Sequence, residues 1–171
     1  MGAQLGFVLG LLIGSALWGQ VMPKLIPISV DMRGVLEDAG VSLDDEGSLI
    51  AALKRDLGVP FCAALVLGSR PGNPAVDGAL LDLIRQAPEK LGILEEGNVA
   101  AAAYALARHG EFSYADEIAR RLPTVTSPSQ QLFMAGSLAT AGRYEGWPIV
   151  RKHITDRKSS RIRVSEALTY V

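Results

Sequence analysis

Two stretches of this chain resemble each other at a spacing of 32 residues, and this internal similarity constrains the fold most strongly. Residues 101–122 align with residues 133–154, so that Gly110 and Gly142 occupy the same place between two apolar segments. The other matched positions are Leu106 with Leu138, Phe112 with Tyr144, Ile118 with Val150, and Leu122 with Ile154. A pair of short helices cannot bury its apolar face alone and must stack on the next pair. The sequence therefore predicts a stack of helical hairpins.

The chain after residue 30 has the composition of helices rather than of strands. Ala, Leu, Arg and Glu dominate, and the alternation typical of half-buried strands is almost absent. Glycine and proline separate the apolar segments. The predicted helices are Met32–Ala39, Gly47–Asp56, Pro60–Gly68, Ala75–Gln86, Asn98–His109, Phe112–Leu122, Ser129–Ala141, Tyr144–Ile154 and Ser160–Tyr170.

Several residues predict where these helices begin and end. Pro60 suits the first turn of its helix, where the missing N–H costs nothing. Gly58, Gly110 and Gly142 suit helix ends, because glycine adopts the left-handed conformation that closes many helices. Ser42 precedes an acidic stretch at residues 44–46 and is predicted to be the N-cap of the helix after it.

The two aligned turns resemble a known repeat family. Residues 110–115 and 142–147 are similar to the inter-helix turn and second-helix start of tetratricopeptide-type repeats, with Ala103 at the small position of the first helix. Leucine stands where that family has bulky aromatic residues, and the short Ala/Leu-rich helices also resemble HEAT-like repeats. Either resemblance implies an α-α superhelix over residues 59–171 that docks other proteins on its surface.

The opening of the chain predicts a membrane helix. Residues 2–22 carry no charge, and about 20 helical residues span a hydrocarbon core of about 30 Å. Trp18, Pro23 and Lys24 are typical of a helix that leaves the membrane at the interface. Glycines recur at every fourth position within this stretch, on one helix face where another backbone can approach closely. The predicted packing residues are Gly2, Gly6, Gly10 and Gly14.

Two other interpretations of this segment stay open. The glycines can be merely tolerated, because glycine is common in membrane helices. The segment can also be a cleaved signal peptide, which would release an exported soluble enzyme or binding protein. Against cleavage, no Lys or Arg precedes the apolar run, and Leu17 and Trp18 fit a cleavage site poorly.

Charge is balanced overall and uneven locally. Seventeen basic and eighteen acidic residues give a formal net charge of −1, so no global field favours nucleic acid. Basic residues gather near the end of the chain and predict either a solvated helix face or a contact with an acidic partner or anionic lipid. These residues are Arg151, Lys152, Arg157, Lys158, Arg161 and Arg163.

No pattern in the chain points to catalysis or to a cofactor. Cys62 is the single cysteine and stands in an apolar stretch, which predicts a small core residue. His109 and His153 lie far apart and outside any metal-ligand spacing. No nucleophile elbow, phosphate loop or dinucleotide fingerprint is present. We therefore expect a noncatalytic protein without a metal or cofactor.

These observations predict three regions: a membrane helix at residues 1–22, a linker with leading helices at residues 23–58, and a helical-repeat domain at residues 59–171. The expected function is a membrane-anchored scaffold or accessory subunit that binds other membrane proteins. The alternative is a self-associating component of a secretion apparatus, pore or filament. Lys24 and Arg33 on the C-terminal flank slightly favour a cytoplasmic repeat domain.

Overall fold

The computed structural model describes residues 32–56 and 58–155, and this part of the chain is helical and contains no β-strand. The α-helices in these ranges are α1 (Met32–Asp38), α2 (Glu46–Ala52), α3 (Val59–Gly68), α4 (Pro74–Gln86), α5 (Ile93–His109), α6 (Ala115–Arg121), α7 (Pro128–Thr140) and α8 (Trp147–Thr155). A 3₁₀ turn at Leu122–Thr124 comes after α6, and another at Tyr144–Gly146 precedes α8. The all-α prediction is thus confirmed for the described residues.

Two predicted helices lie outside the described residues. They are the membrane helix at residues 1–22 and the helix at Ser160–Tyr170. Within the described ranges, no helix is both long enough and apolar enough to cross a bilayer.

The predicted start of α5 was wrong. The helix begins at Ile93 rather than Asn98, after Gly92 in an extended conformation. Glu95 and Glu96 occupy its first turn, where the helix dipole favours carboxylates. Because this turn is acidic and is followed by Gly97, it lacks the apolar pattern on which the prediction depended.

The predicted N-cap of α2 was also wrong. Asp45, not Ser42, caps the helix, because its carboxylate accepts hydrogen bonds from the N–H groups of Gly47 at 3.0 Å and Ser48 at 3.2 Å. The N–H of Ser42 instead donates to the Ser48 hydroxyl at 3.0 Å. Asp45 is therefore the residue of the acidic stretch that satisfies the exposed N–H groups of the first turn.

Gly58 has a different role from the one predicted. It has a φ of 81° and directly precedes α3 as its N-cap, whereas α2 already ends at Ala52. Pro60 lies in the first turn of α3, as expected.

Three helices end in the same glycine cap, at Gly40, Gly110 and Gly142, which have φ values of 67°, 77° and 75°. In each cap the glycine N–H donates to the carbonyl three residues earlier, and the next residue donates to the carbonyl five residues earlier. This is the Schellman arrangement, which satisfies the last carbonyls of a helix. The residues that accept the longer bond, Leu36, Leu106 and Leu138, are all completely buried. The predicted caps at Gly110 and Gly142 are confirmed, and Gly40 adds a third.

Packing between helices has a regular order. The helices α1, α3, α5 and α7 pack against one another in sequence, while α2 packs on α3, α4 on α5, and α6 on α7. Each of α2, α4 and α6 thus contacts the helix that follows it in the chain, whereas α8 contacts α7, the helix before it. The central helix α5 has neighbours on most sides, and every residue from Val99 to Ala107 is buried.

Small side chains allow α3 and α5 to approach closely. A Cβ atom added to Gly68 would lie 2.8 Å from Cα of Ala105, so the two backbones are almost in contact. Cys62 on the same helix is only 3% exposed, which confirms it as a core residue, and burial raises the pKa of its thiol.

Candidate docking surfaces

Three buried polar clusters tie successive helix pairs together. The first is Glu96 of α5, which is 1% exposed. Its carboxylate accepts hydrogen bonds from the N–H and hydroxyl of Thr126, at 2.7 and 2.8 Å, and from the N–H of Ser127 at 2.9 Å. Burial by itself would raise the pKa of Glu96, but these three donors outweigh it and hold the pKa below its usual value. The carboxylate fixes the segment that leads into α7.

The second cluster joins three helices at His109. Nδ1 of His109 lies 2.6 Å from Oδ1 of Asp77 on α4, and Nε2 lies 3.2 Å from the carbonyl oxygen of Leu67 on α3. Each ring nitrogen thus lies within hydrogen-bonding distance of an oxygen atom on a neighbouring helix. The ring is 1% exposed and packs under Gly72, where an added Cβ would overlap it. His109 therefore links α3, α4 and α5, and its ring has almost no contact with solvent.

The third cluster centres on Arg121, which is 3% exposed at the end of α6. Its guanidinium donates to the carbonyl oxygens of Ala87 at 2.9 Å and Pro88 at 2.6 Å, and to the Glu117 carboxylate at 2.5 Å. Replacing a buried arginine that has all its hydrogen-bond partners is destabilising, because removing either the arginine or a partner leaves a buried polar group unpaired. Arg121 thus fixes the connection between α4 and α5 against α6.

An exposed aromatic edge forms where α5 and α7 end. Phe112 and Tyr144 come after the matched caps and are 41% and 76% exposed. Arg143 joins the two turns, since its guanidinium pairs with Asp116 beside the first turn and with Glu145 in the second. These two carboxylates raise the pKa of Arg143, and Arg143 in turn lowers the pKa of Glu145. We call Phe112, Tyr144 and Arg143 the aromatic edge.

A groove of about 560 Å³ lies beside α4, between α2 and the first turns of α5. Its apolar lining includes Leu53, Leu83 and Val99, and its margin carries Lys54, Asp82 and Glu95. The Oδ1 atom of Asn98, which also lines the groove, is buried and has no hydrogen-bond partner among the described residues. The groove thus offers a second surface with apolar walls and carboxylates at its margin.

The structure places few of the residues that the sequence predicted as sites. Arg151 and Lys152 are exposed on α8. The remaining basic residues, Arg157, Lys158, Arg161 and Arg163, and the membrane glycines Gly2, Gly6, Gly10 and Gly14 lie outside the described residues. Within the described ranges, no three His, Cys, Asp or Glu side chains gather as metal ligands.

Sequence reasoning missed all three buried polar clusters. Ser127 followed by Pro128 is a recognisable helix start, but nothing near it indicates Glu96, which lies 30 residues before Thr126. His109 and Asp77 are 32 residues apart, and Arg121 reaches carbonyls 33 and 34 residues away. No local pattern could have paired them.

Comparisons with family models, curated proteins and solved structures find no match to this chain.

Proposed function

We propose that this chain is a noncatalytic docking subunit of a membrane protein complex, in which an α-α superhelix of helix pairs recruits partners and residues 1–22 anchor it. The proposed class of protein is a helical-repeat scaffold. The chain is proposed to cross a membrane once, with the repeat domain on the cytoplasmic side.

Support for repeats comes from the turns and from the packing order. Gly40, Gly110 and Gly142 have the same cap, although only the last two were matched in sequence. Each of α2, α4 and α6 contacts the helix that follows it in the chain, which is the neighbour-to-neighbour order of a solenoid. Such arrays present extended surfaces, which makes docking the function that this architecture serves most often.

The observation that carries the docking proposal is the aromatic edge. Large aromatic side chains are enriched at protein interfaces, and here two of them occupy matched positions while remaining open to solvent. The Arg143 ion pairs join the two turns that carry these rings. Arginine and aromatic residues are also the types that contribute most to binding energy.

The test is affinity purification of the full chain in mild detergent, with identification of what comes with it. We expect unlike membrane proteins, and we expect Phe112→Ser combined with Tyr144→Ser to lose them. The matched control is Ile93→Ser combined with Leu94→Ser, which removes exposed apolar residues, 77% and 52% exposed, at the other end of α5. Equal recovery of partners by both double variants would contradict the role of the aromatic edge.

The same purification decides the alternative, in which copies of the chain assemble through the glycine-rich membrane segment. A homo-oligomer without other proteins would favour that alternative. In that case Gly10→Ile should dissociate the oligomer, because a bulky side chain in a row of glycines keeps the facing backbone away. Leu12→Ile, which leaves the glycine row intact, is the control.

The basic stretch is proposed as a contact for an acidic partner or for anionic lipid. Arg151 and Lys152 are exposed on α8, where they are available to such a contact. Charge reversal at Arg157, Lys158 and Arg161 should weaken binding to anionic vesicles, most strongly at low salt, where screening is least. Unchanged binding at low salt would indicate a solvated helix face instead.

A further inference from the structure

One flank of α7 lacks the cover that the matched flank of α5 has. On α5, Gly97, Ala100 and Tyr104 share a face, because they lie three and seven residues apart. This face meets α7, since a Cβ on Gly97 would lie 3.8 Å from the Gln130 amide, and the ring of Tyr104 packs edge-on against Phe133 at 5.7 Å. Ala100, between them, is fully buried.

The matched face of α7, 32 residues later, carries Ser129, Leu132 and Gly136. Phe133, on the neighbouring side of α7, contacts Tyr104 of α5, so this face lies beside the contact with α5. Gly136 is buried, but Ser129 is exposed and Leu132 is half-buried, although leucine is larger and more apolar than the fully buried Ala100 that it matches. Trp147 at the start of α8 is likewise half-buried, whereas its match on α6, Ala115, is buried.

The length of the connections indicates where the next helix after α8 begins. Six residues separate α4 from α5, and six separate α6 from α7. The same spacing after Thr155, the last described residue of α8, brings the next first helix to residue 162, close to residue 160, which lies one repeat after the start of α7 at Pro128. Ala167 continues the positions of Ala103 and Ala135, both fully buried, and Ile162, Leu168 and Val171 supply apolar side chains around it.

We propose that residues 160–171 pack in cis on the flank of α7 and α8 formed by Ser129, Leu132 and Trp147, as the first helix of a further pair. This inference rests on the repeat arrangement in the proposed function. It commits to one occupant, the chain's own C-terminal segment, because that segment follows α8 along the chain and carries the repeated alanine and the apolar residues. By the match of Gly97 with Ser129 and of Gln130 with Ile162, the closest contact falls between Ser129 and Ile162.

The test is thiol cross-linking of the full chain in mild detergent. Ser129→Cys combined with Ile162→Cys is treated with a short bis-maleimide, and linked peptides are identified by mass spectrometry. We expect an intramolecular link whose yield is several-fold above that of the control pair, Ser113→Cys with Ile162→Cys. Ser113 is also exposed, but it lies in the turn between α5 and α6, whereas Ser129 lies at the start of α7. The unmodified chain serves as blank, because Cys62 is buried.

A positive control separates this inference from the proposed function. Asp116→Cys combined with Arg143→Cys replaces an ion pair whose side chains are 91% and 34% exposed, so it gives a neighbouring pair of thiols that the reagent can reach. If this pair links and the 129–162 pair does not, the inference is wrong, while docking is still judged by co-purification. Linked dimers through 129 and 162 would also overturn it, since the flank would then be an interface between copies.

Discussion

The hairpin of α5 and α6 and the hairpin of α7 and α8 have turns of the same conformation but pack against their neighbours differently. Both first helices end in the same cap, and both turns expose an aromatic residue directly after it. Two positions later the first hairpin has Tyr114, whose buried hydroxyl donates to the carbonyl of Ser137 on α7 at 3.0 Å. The second hairpin has Gly146, which packs against the backbone of Ala135. The conformation of the turn is thus set by local hydrogen bonds. The residue that packs after it depends instead on the neighbouring helix that it contacts.

The largest expected effect comes from removing the side chain on which the first hairpin depends. Tyr114→Ala should lower the free energy of unfolding by about 4 kcal/mol, because it leaves a cavity and removes the buried hydrogen bond to the Ser137 carbonyl. Tyr144→Ala makes the same chemical change at a position that is 76% exposed, and it should stay within about 0.5 kcal/mol of the parent. Urea unfolding of the full chain in mild detergent measures both. Similar losses for the two would refute the contrast between the hairpins.

The next effect tests the second hairpin. Gly146→Ala places a Cβ 2.9 Å from the carbonyl carbon of Ala135, with the carbonyl oxygen nearer still, and should cost about 3 kcal/mol through overpacking. Gly78→Ala is the control, because Gly78 lies inside α4 with no atom near its added Cβ. That control should stabilise the chain by about 0.5–1 kcal/mol, since alanine favours helix. A tolerated Gly146→Ala would show that α7 and α8 are not closely packed.

A third prediction concerns Glu96, which only the first hairpin possesses, since proline occupies the matched position 128. Glu96→Gln should cost about 2 kcal/mol near neutral pH, because an NH₂ group would then face N–H donors. Thermal unfolding with circular dichroism detection would measure this loss, with Glu95→Gln, a partly exposed neighbour, as control.

Lowering the pH should reduce the difference in stability between the parent chain and Glu96→Gln. The pKa of Glu96 is lower in the folded chain than in the unfolded chain, so its stabilisation is complete above the unfolded value. As the pH falls, the unfolded chain takes up a proton first, and the stabilisation is lost by the time the pH passes the folded pKa. Parent and variant should therefore converge in acid. A gap that stays constant from pH 7 to strongly acid conditions would contradict the role of the carboxylate charge.

The smallest effect tests what the hairpins share. Gly110→Ala and Gly142→Ala should each cost about 1 kcal/mol, because alanine must adopt a positive φ although its Cβ meets no neighbouring atom. The two losses should agree within a few tenths of a kcal/mol, as judged by urea midpoints at constant m value. Clearly unequal losses would mean that the two caps differ in energy despite their common geometry.

Local sequence predicted the helices well wherever the deciding interactions are short. The cap at Gly110 closes with hydrogen bonds to Ala107 and Leu106, all within six residues, so glycine and the leucine before it suffice to predict it. Errors occurred where the signal was ambiguous over the same short range. Ser42 and Asp45 both suit an N-cap, and only the backbone conformation of Asp45, extended at φ −96° and ψ 111°, decided between them.

The helical composition, the two matched turns and the burial of Cys62 could be predicted from the sequence, because each results from composition or from contacts between near neighbours. Tertiary structure alone decided how the pairs are joined. Glu96 with Thr126, His109 with Asp77, and Arg121 with Ala87 are each separated by 30 residues or more. A carboxylate or imidazole has many potential partners along a chain, and only the packing of α3, α5 and α7 brings one within hydrogen-bonding distance and excludes water from it.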